Sequence, residues 1–339
     1  MAGAGLAVRG SPARPRSRRA LRGGRGRPHG ARSQRSCEAA APRRGRRWRW
    51  RAVARRPMST HLLYEDFFRF LDALDATRGD PWELYQAHYV EPHRAVLEAY
   101  WRQVLGRPDE VWAARVRAVR PAHYGLLRAL VQTADLRAIA ADAMQRCQRL
   151  VRLEPEPDVY FLVGFFSPDA FAFEVEGRWA IGVGMERLGG LRLVPILLVH
   201  EYAHCYRRLL GRPANLGDRM VEEGLAVELA ARAFPERPTA EHLLMTPGQL
   251  SALHQYERQL WKQIEHLLGS EEEEVAARVL YGRAPGLEWA SRAGVYLGWR
   301  LVRKYLSQTG SGFDVPSSQV IAARRRSHAG RPAPSSRDG

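Results

Sequence analysis

The sequence predicts an α+β fold, mostly helical, in which a small mixed or antiparallel sheet directly precedes one apolar helix and helical regions flank both. Apolar residues recur at helical spacing over residues 60–152, give way to short apolar and alternating runs over residues 158–185, and return to helical spacing from residue 191 to about residue 306. The apolar helix carries His200-Glu201-Tyr202-Ala203-His204.

Before the first of these elements lies a segment of a different kind. Of the chain's 53 basic and 36 acidic side chains, residues 1–57 hold eighteen arginines and one acid, Glu38, which leaves 35 of each sign in the remainder. The net charge of +17 therefore belongs to this segment, and the rest is neutral. Rich in Arg, Gly, Pro, Ala and Ser, it lacks an apolar run that would offset the entropy of ordering it, so disorder is expected. The simplest explanation is an upstream extension from a mis-called start, with Met58 as the true beginning. A transit peptide, an RNA- or DNA-binding tail and a secretion-related leader are the other readings. Its Gly and Pro density opposes the amphipathic helix of a transit peptide, and it has no apolar h-region. Nucleic acid is expected as a partner only through this tail.

Residues 61–77 place Leu62, Leu63, Phe67, Phe70, Leu71 and Leu74 on a helical period. Pro81 opens a longer helix through Leu105, and Pro108 and Pro121 punctuate two more that end near Leu150. Residues 58–152 thus form an N-terminal helical region, whose His88, His93 and His123 read as ordinary helix histidines. Residues 158–166 read as a buried strand. Residues 170–175 and 179–185 read as a hairpin turned at Glu176, Gly177 and Arg178.

The helix of the histidines begins near Pro195, tolerated in a first turn, and stops after Leu210, where Gly211 and Pro213 follow. A second helix runs to Phe234 with Asp218 as a candidate N-cap and Met220, Val221, Leu225, Val227 and Leu229 as its apolar contacts. Gly224 inside it costs about 1 kcal/mol against alanine. Close backbone packing against the preceding helix would explain it. Residues 246–268 form a long amphipathic segment, the acidic run 271–274 starts a helix, and residues 287–306 hold another. Residues 311–339, rich in Ser, Pro, Arg and Gly, are expected to be a flexible tail.

Cys37, Cys147 and Cys205 show no CxxC spacing, which argues against a disulfide framework or a cysteine zinc site and favours a cytoplasmic protein. Cys205 is rotated off the face of His204 and reads as a core thiol. The apolar stretch before His200 is far shorter than the roughly eighteen residues of a membrane span, so no membrane partner is expected.

Two histidines four apart on a helix project from one face and can converge on one ion. A catalytic Zn²⁺ takes three protein ligands and keeps a position open, so a third ligand is needed. Glu222 and Glu223, on the next helix, are the acids at hand. Glu201 would lie beside the ion's open position, where a carboxylate can accept a proton from water.

The spacing His200 to His204, then eighteen residues, then Glu223 resembles that of the gluzincins, the thermolysin-like clan of zinc peptidases. Together, His200 to His204, Glu223-Gly224-Leu225-Ala226 and Gly294-Val295-Tyr296-Leu297-Gly298-Trp299 also resemble a bacterial family of predicted zinc-dependent proteases, over roughly residues 60–310. The resemblance implies a zincin-like metallopeptidase domain over residues 153–310, Zn²⁺ held by His200, His204 and Glu223, Glu201 as general base, and a peptide or protein substrate. It implies that Tyr296 stabilises the oxyanion, with Tyr281 as second candidate and a purely packing role as the remaining reading, and that an edge strand, residues 179–185, pairs with the substrate. The position four past Glu223, where thermolysin has an acid, is Val227, with Glu228 as a substitute. The Gly-x-Met-x-Asn motif of the aminopeptidases is approached only loosely at residues 182–187, with Arg187 in the place of asparagine, which leaves exo- and endopeptidase action both open. The alternative is a catalytically inactive, zinc-bound scaffold or interaction module on the same fold.

Overall fold

Thr60–Leu62 (β1) is a strand and not the first turn of a helix, in the computed structural model, which describes residues 58–77, 79–106, 109–165, 168–284 and 287–329. The disorder and the alternative start expected for residues 1–57 lie outside the described residues. β1 runs parallel to β2 (Asp158–Leu162), with Thr60 opposite Val159 and Leu62 opposite Phe161, and Ser59 N–H donates to Asp158 Oδ1 at 2.8 Å. Three residues are too few for periodicity to separate strand from helix, so a partner 99 residues away decides.

Helix α1 (Tyr64–Ala76) follows and buries Tyr64, Phe67, Phe70 and Leu71. Pro81 then opens the long helical run expected from the sequence. It comprises α2 (Pro81–Tyr85), α3 (Arg94–Tyr100) and two π-helical stretches, the second of which, Trp101–Leu105, ends at left-handed Gly106. Next come α4 (Asp109–Arg117), α5 (Gly125–Val131) and α6 (Leu136–Leu150), the last capped by Asp135, whose carboxylate accepts from the N–H groups of Arg137 and Ala138.

β3 (Ala170–Val175) and β4 (Arg178–Gly184) form the hairpin, turned by Glu176 and Gly177 at φ of 49° and 77°, the two left-handed residues that a tight hairpin turn needs. The sheet order is β1-β2-β4-β3, mixed, with β4 parallel to β2 and antiparallel to β3. The nominated edge strand is therefore interior. β4 has partners on both sides, as its continuous burial requires, and β3, with its alternating pattern, is the edge.

Against β3 and β4 packs α7 (Val194–Leu210), which carries the histidines, and against α7 packs α8 (Leu216–Ala233). Asn215, not Asp218, caps α8: its side chain accepts from Asp218 N–H at 3.0 Å. Gly224 packs against a later helix and not against α7. A Cβ on it would meet the backbone of Gly298 and Trp299, in α13 (below).

The chain continues through α9 (Thr239–His242), α10 (Pro247–Gln255), α11 (Glu257–Ile264) and α12 (Glu273–Leu280). β6 (Leu287–Ser291), paired antiparallel with β5 (Arg283–Ala284), takes the start of the segment over residues 287–306 expected to be helix, and α13 (Ala293–Thr309) the rest. The expected tail is helical over α14 (Ser317–Ala329), which packs on α8 and α13 with Val320 fully buried. The buried Arg207 guanidinium of α7 fixes the approach to it, donating to Phe313 O at 3.2 Å, Val315 O at 2.9 Å and Ser317 Oγ at 3.3 Å. Composition could not reveal an arginine 110 residues upstream.

One continuous hydrophobic core joins the helices of residues 64–150 to the sheet and to α7, α8 and α13. Among the described residues no helix is long and apolar enough to cross a membrane.

Candidate metal centre

His200 and His204, one turn apart on α7, stack their rings edge to face with centroids 4.9 Å apart. Glu223 on α8 faces both. Its Oε2 lies 3.3 Å from His200 Nε2 and its Oε1 3.6 Å from His204 Nε2. Glu201 joins the cluster, since ligand atoms of His200, Glu201 and His204 all lie within 4.8 Å of one another. The four line a cleft of about 800 Å³, with β3, Tyr281 and Arg292 on its other walls.

These positions follow from local sequence. The four-residue spacing sets both imidazoles on one face, and Val194, Ile196, Leu198, Val199 and Tyr202 bury the rest of the helix. Cys205 lies on that buried side, its thiol 3.7 Å from Ala180 O, a core group as expected. Glu222, the competing acid, turns toward Arg208 at 3.9 Å, while Glu223 turns toward the histidines.

The electrostatics separate the two carboxylates by role. Burial raises the Glu201 pKa, opposed by His204 and aided by the charge of Glu223, to about 7. Burial would raise Glu223 too, but the adjacent His200 imidazole, the charge of His204 and the Tyr281 hydroxyl outweigh it and hold Glu223 well below the usual carboxylate range. Burial lowers His204, which favours the neutral imidazole that a metal ligand must be.

The donor set fits a metal. Two imidazole nitrogens and a carboxylate oxygen make a catalytic zinc set, and buried Glu223 Oε2 has no hydrogen-bond partner among the described residues, an arrangement that costs free energy unless a cation completes it. Glu228, the acid offered to orient a histidine, pairs instead with Arg232 at 3.2 Å, and His200 Nδ1 is buried without a hydrogen-bond partner among the described residues.

Tyr296 is not among the residues that line this cleft. Its ring is buried, and its hydroxyl donates to Glu257 Oε2 at 2.9 Å and lies 3.2 Å from His254 Nδ1. As an inward-facing residue of α13 between two glycines, it packs the helix and does not reach the cleft. The tyrosine that does is Tyr281, directly after α12, whose hydroxyl donates to Glu223 Oε1 at 2.7 Å although 57% of the residue is exposed. The charge of Glu223, and then burial, raise its pKa well above the ordinary value, so it stays a donor. Arg292, at the N-terminus of α13, was not a sequence candidate. Its φ of 61° is left-handed, and its Nε is buried without a hydrogen-bond partner among the described residues, on a side chain that lines the cleft. Arginine after a short strand carries no sequence signal for such a position.

No curated protein and no solved structure matches the chain. Residues 183–322, from the end of β4 into α14 and including every candidate ligand, match the model of a family described as predicted Zn-dependent protease (DUF2268).

Proposed function

We propose that this chain is a zinc-dependent peptidase of the gluzincin type with a zincin-like catalytic domain, acting on peptide or protein substrates. The observation that carries the proposal is the convergence of His200 Nε2, His204 Nε2 and the Glu223 carboxylate at 3.3 and 3.6 Å beside Glu201. The family match to predicted Zn-dependent proteases supports the choice of metal and reaction.

His200, His204 and Glu223 would hold the zinc. When bound, zinc supplies a Lewis acid that polarises a peptide carbonyl and lowers the pKa of water toward 7. Glu201 accepts the proton of the attacking water on its carboxylate and can return it to the departing amine. Tyr281, held protonated, orients Glu223, and with Arg292 it lines the wall where negative charge on a carbonyl oxygen would be met. The free edge of β3 offers backbone groups to an extended peptide. Buried free thiols at Cys147 and Cys205 fit a reducing compartment such as the cytoplasm.

The test is metal analysis together with peptide turnover in the full chain. The wild type is expected to bind about one zinc and to cleave peptides, Glu201→Gln to keep the zinc and lose turnover, and His204→Ala to lose both. Zinc binding without turnover in the wild type would leave only the inactive scaffold.

A further inference from the structure

We propose that Gln103 limits the peptide the cleft accepts by closing the free edge of β3 one pairing position from the reaction centre, so that cleavage is confined to the first residues at a substrate's amino terminus. The inference rests on the peptidase reading.

β3 is the outer strand, and in an antiparallel ladder alternate residues turn both backbone groups toward the neighbour. Gly184 N–H donates to Asp169 O at 3.0 Å, which assigns Asp169, and with it Phe171 and Phe173, to the bonds with β4. Ala170, Ala172 and Glu174 therefore present their N–H and C=O to the open side. At Glu174 that side is already occupied. The Gln103 carboxamide donates from Nε2 to Glu174 O at 2.6 Å and accepts at Oε1 from Glu174 N–H at 2.9 Å. These are the two bonds that a residue of an added strand would make.

The reaction centre lies next to this stop. α7, which carries Glu201, packs on β3, and Ala172 lines the cleft together with that carboxylate, which leaves Glu174 as the next outward position. Gln103, Ala172, His200 and Glu201 line the same cleft. A peptide extended past Ala172 must displace two hydrogen bonds to form two, an exchange with no net gain. Antiparallel addition, the slightly more stable pairing, points the substrate's amino terminus toward Glu174. The restricted side is then the amino-terminal one, and the carboxyl-terminal side, past Ala170, stays open.

The experiment digests one mixture of decapeptides, with free and with acetylated, four-residue-extended amino termini, using the zinc-loaded full chain and its Gln103→Ala variant, and reads products by mass spectrometry. The wild type is expected to release short pieces from free amino termini and to cut interior bonds about tenfold more slowly. Gln103→Ala is expected to raise interior relative to terminal cleavage by about tenfold and to speed hydrogen exchange at the Glu174 amide. Interior cleavage without terminal preference, a preference for carboxyl termini, or a product pattern unchanged by Gln103→Ala overturns the inference while leaving the peptidase intact. If neither protein cleaves any peptide, the peptidase reading fails and the restriction with it; an unchanged Glu174 exchange rate removes its structural basis independently of turnover.

Discussion

Glu223 and Gly224 are neighbours in sequence, yet they serve two regions of α8 built on opposite requirements. On the Glu223 side, α7 and α8 bring polar atoms to within 3.3 and 3.6 Å of one another inside the core. On the Gly224 side, α8 and α13 meet backbone to backbone, and the requirement is that nothing project: a Cβ on Gly224 would strike Gly298, and one on Gly298 would strike Met220. The helix that carries the candidate ligand is thus backed by a close backbone contact. The residue next to Glu223 has no side chain, which lets α13 pack against the other side of α8.

Breaking the first region gives the largest effect. Glu201→Gln is expected to lower kcat by a factor of about 10² to 10⁴, the usual contribution of a general base, with zinc content unchanged by atomic emission. Glu223→Ala is expected to lose the metal itself. A Glu201→Gln protein that turns over normally would remove the base from this site.

Gly298→Ala tests the second region. The added methyl meets the backbone carbonyl of Met220, which cannot rotate away, so a loss of about 2–3 kcal/mol in urea unfolding is expected, together with weaker zinc binding as α8 shifts. Full stability and unchanged zinc affinity would show that the two sides of α8 are not coupled.

The two tyrosines sharpen the contrast further. Tyr281→Phe removes the donor to Glu223 and is expected to reduce kcat about tenfold with little change in Tm. Tyr296→Phe leaves Glu257 without its buried donor and is expected to cost about 1 kcal/mol of stability at unchanged kcat. The reverse pattern would return the catalytic role to Tyr296.

The smallest effect concerns His242, buried behind α8 with Nε2 3.0 Å from Phe234 O. Burial lowers its pKa below the ordinary value of about 6.5, so below that pH the unfolded chain binds a proton that the folded chain does not. Stability is therefore expected to fall as pH drops below about 6.5. His242→Gln should flatten that slope in denaturation at pH 5.5 and 7.5, and an equal slope in both proteins would assign it to other groups.

His200, Glu201 and His204 were legible because helix geometry converts a four-residue spacing into one face whatever the rest of the chain does. The hairpin was legible for the same reason, since its turn residues and its alternation are local. Glu223 was legible by its spacing from His204, but its preference over Glu222 becomes physical only in the fold, where Arg208 takes Glu222. Arg292 and Gln103 carried no usable signal and Tyr281 stood only second to Tyr296, for the groups that Tyr281 and Gln103 meet are far from them in the chain: Glu223, 58 residues from Tyr281, and Glu174, 71 residues from Gln103.

The sequence by itself determined which side chains share a turn of helix, that a short sheet precedes them, and that the excess charge lies outside the neutral remainder, for these are properties of spacing and composition. Tertiary structure alone decided which strand is the sheet's edge, which tyrosine reaches the cleft, what Gly224 packs against, and that residues 317–329 are helical. Each of those depends on a surface supplied by another part of the chain, and periodicity along one segment carries no information about the surface it will meet.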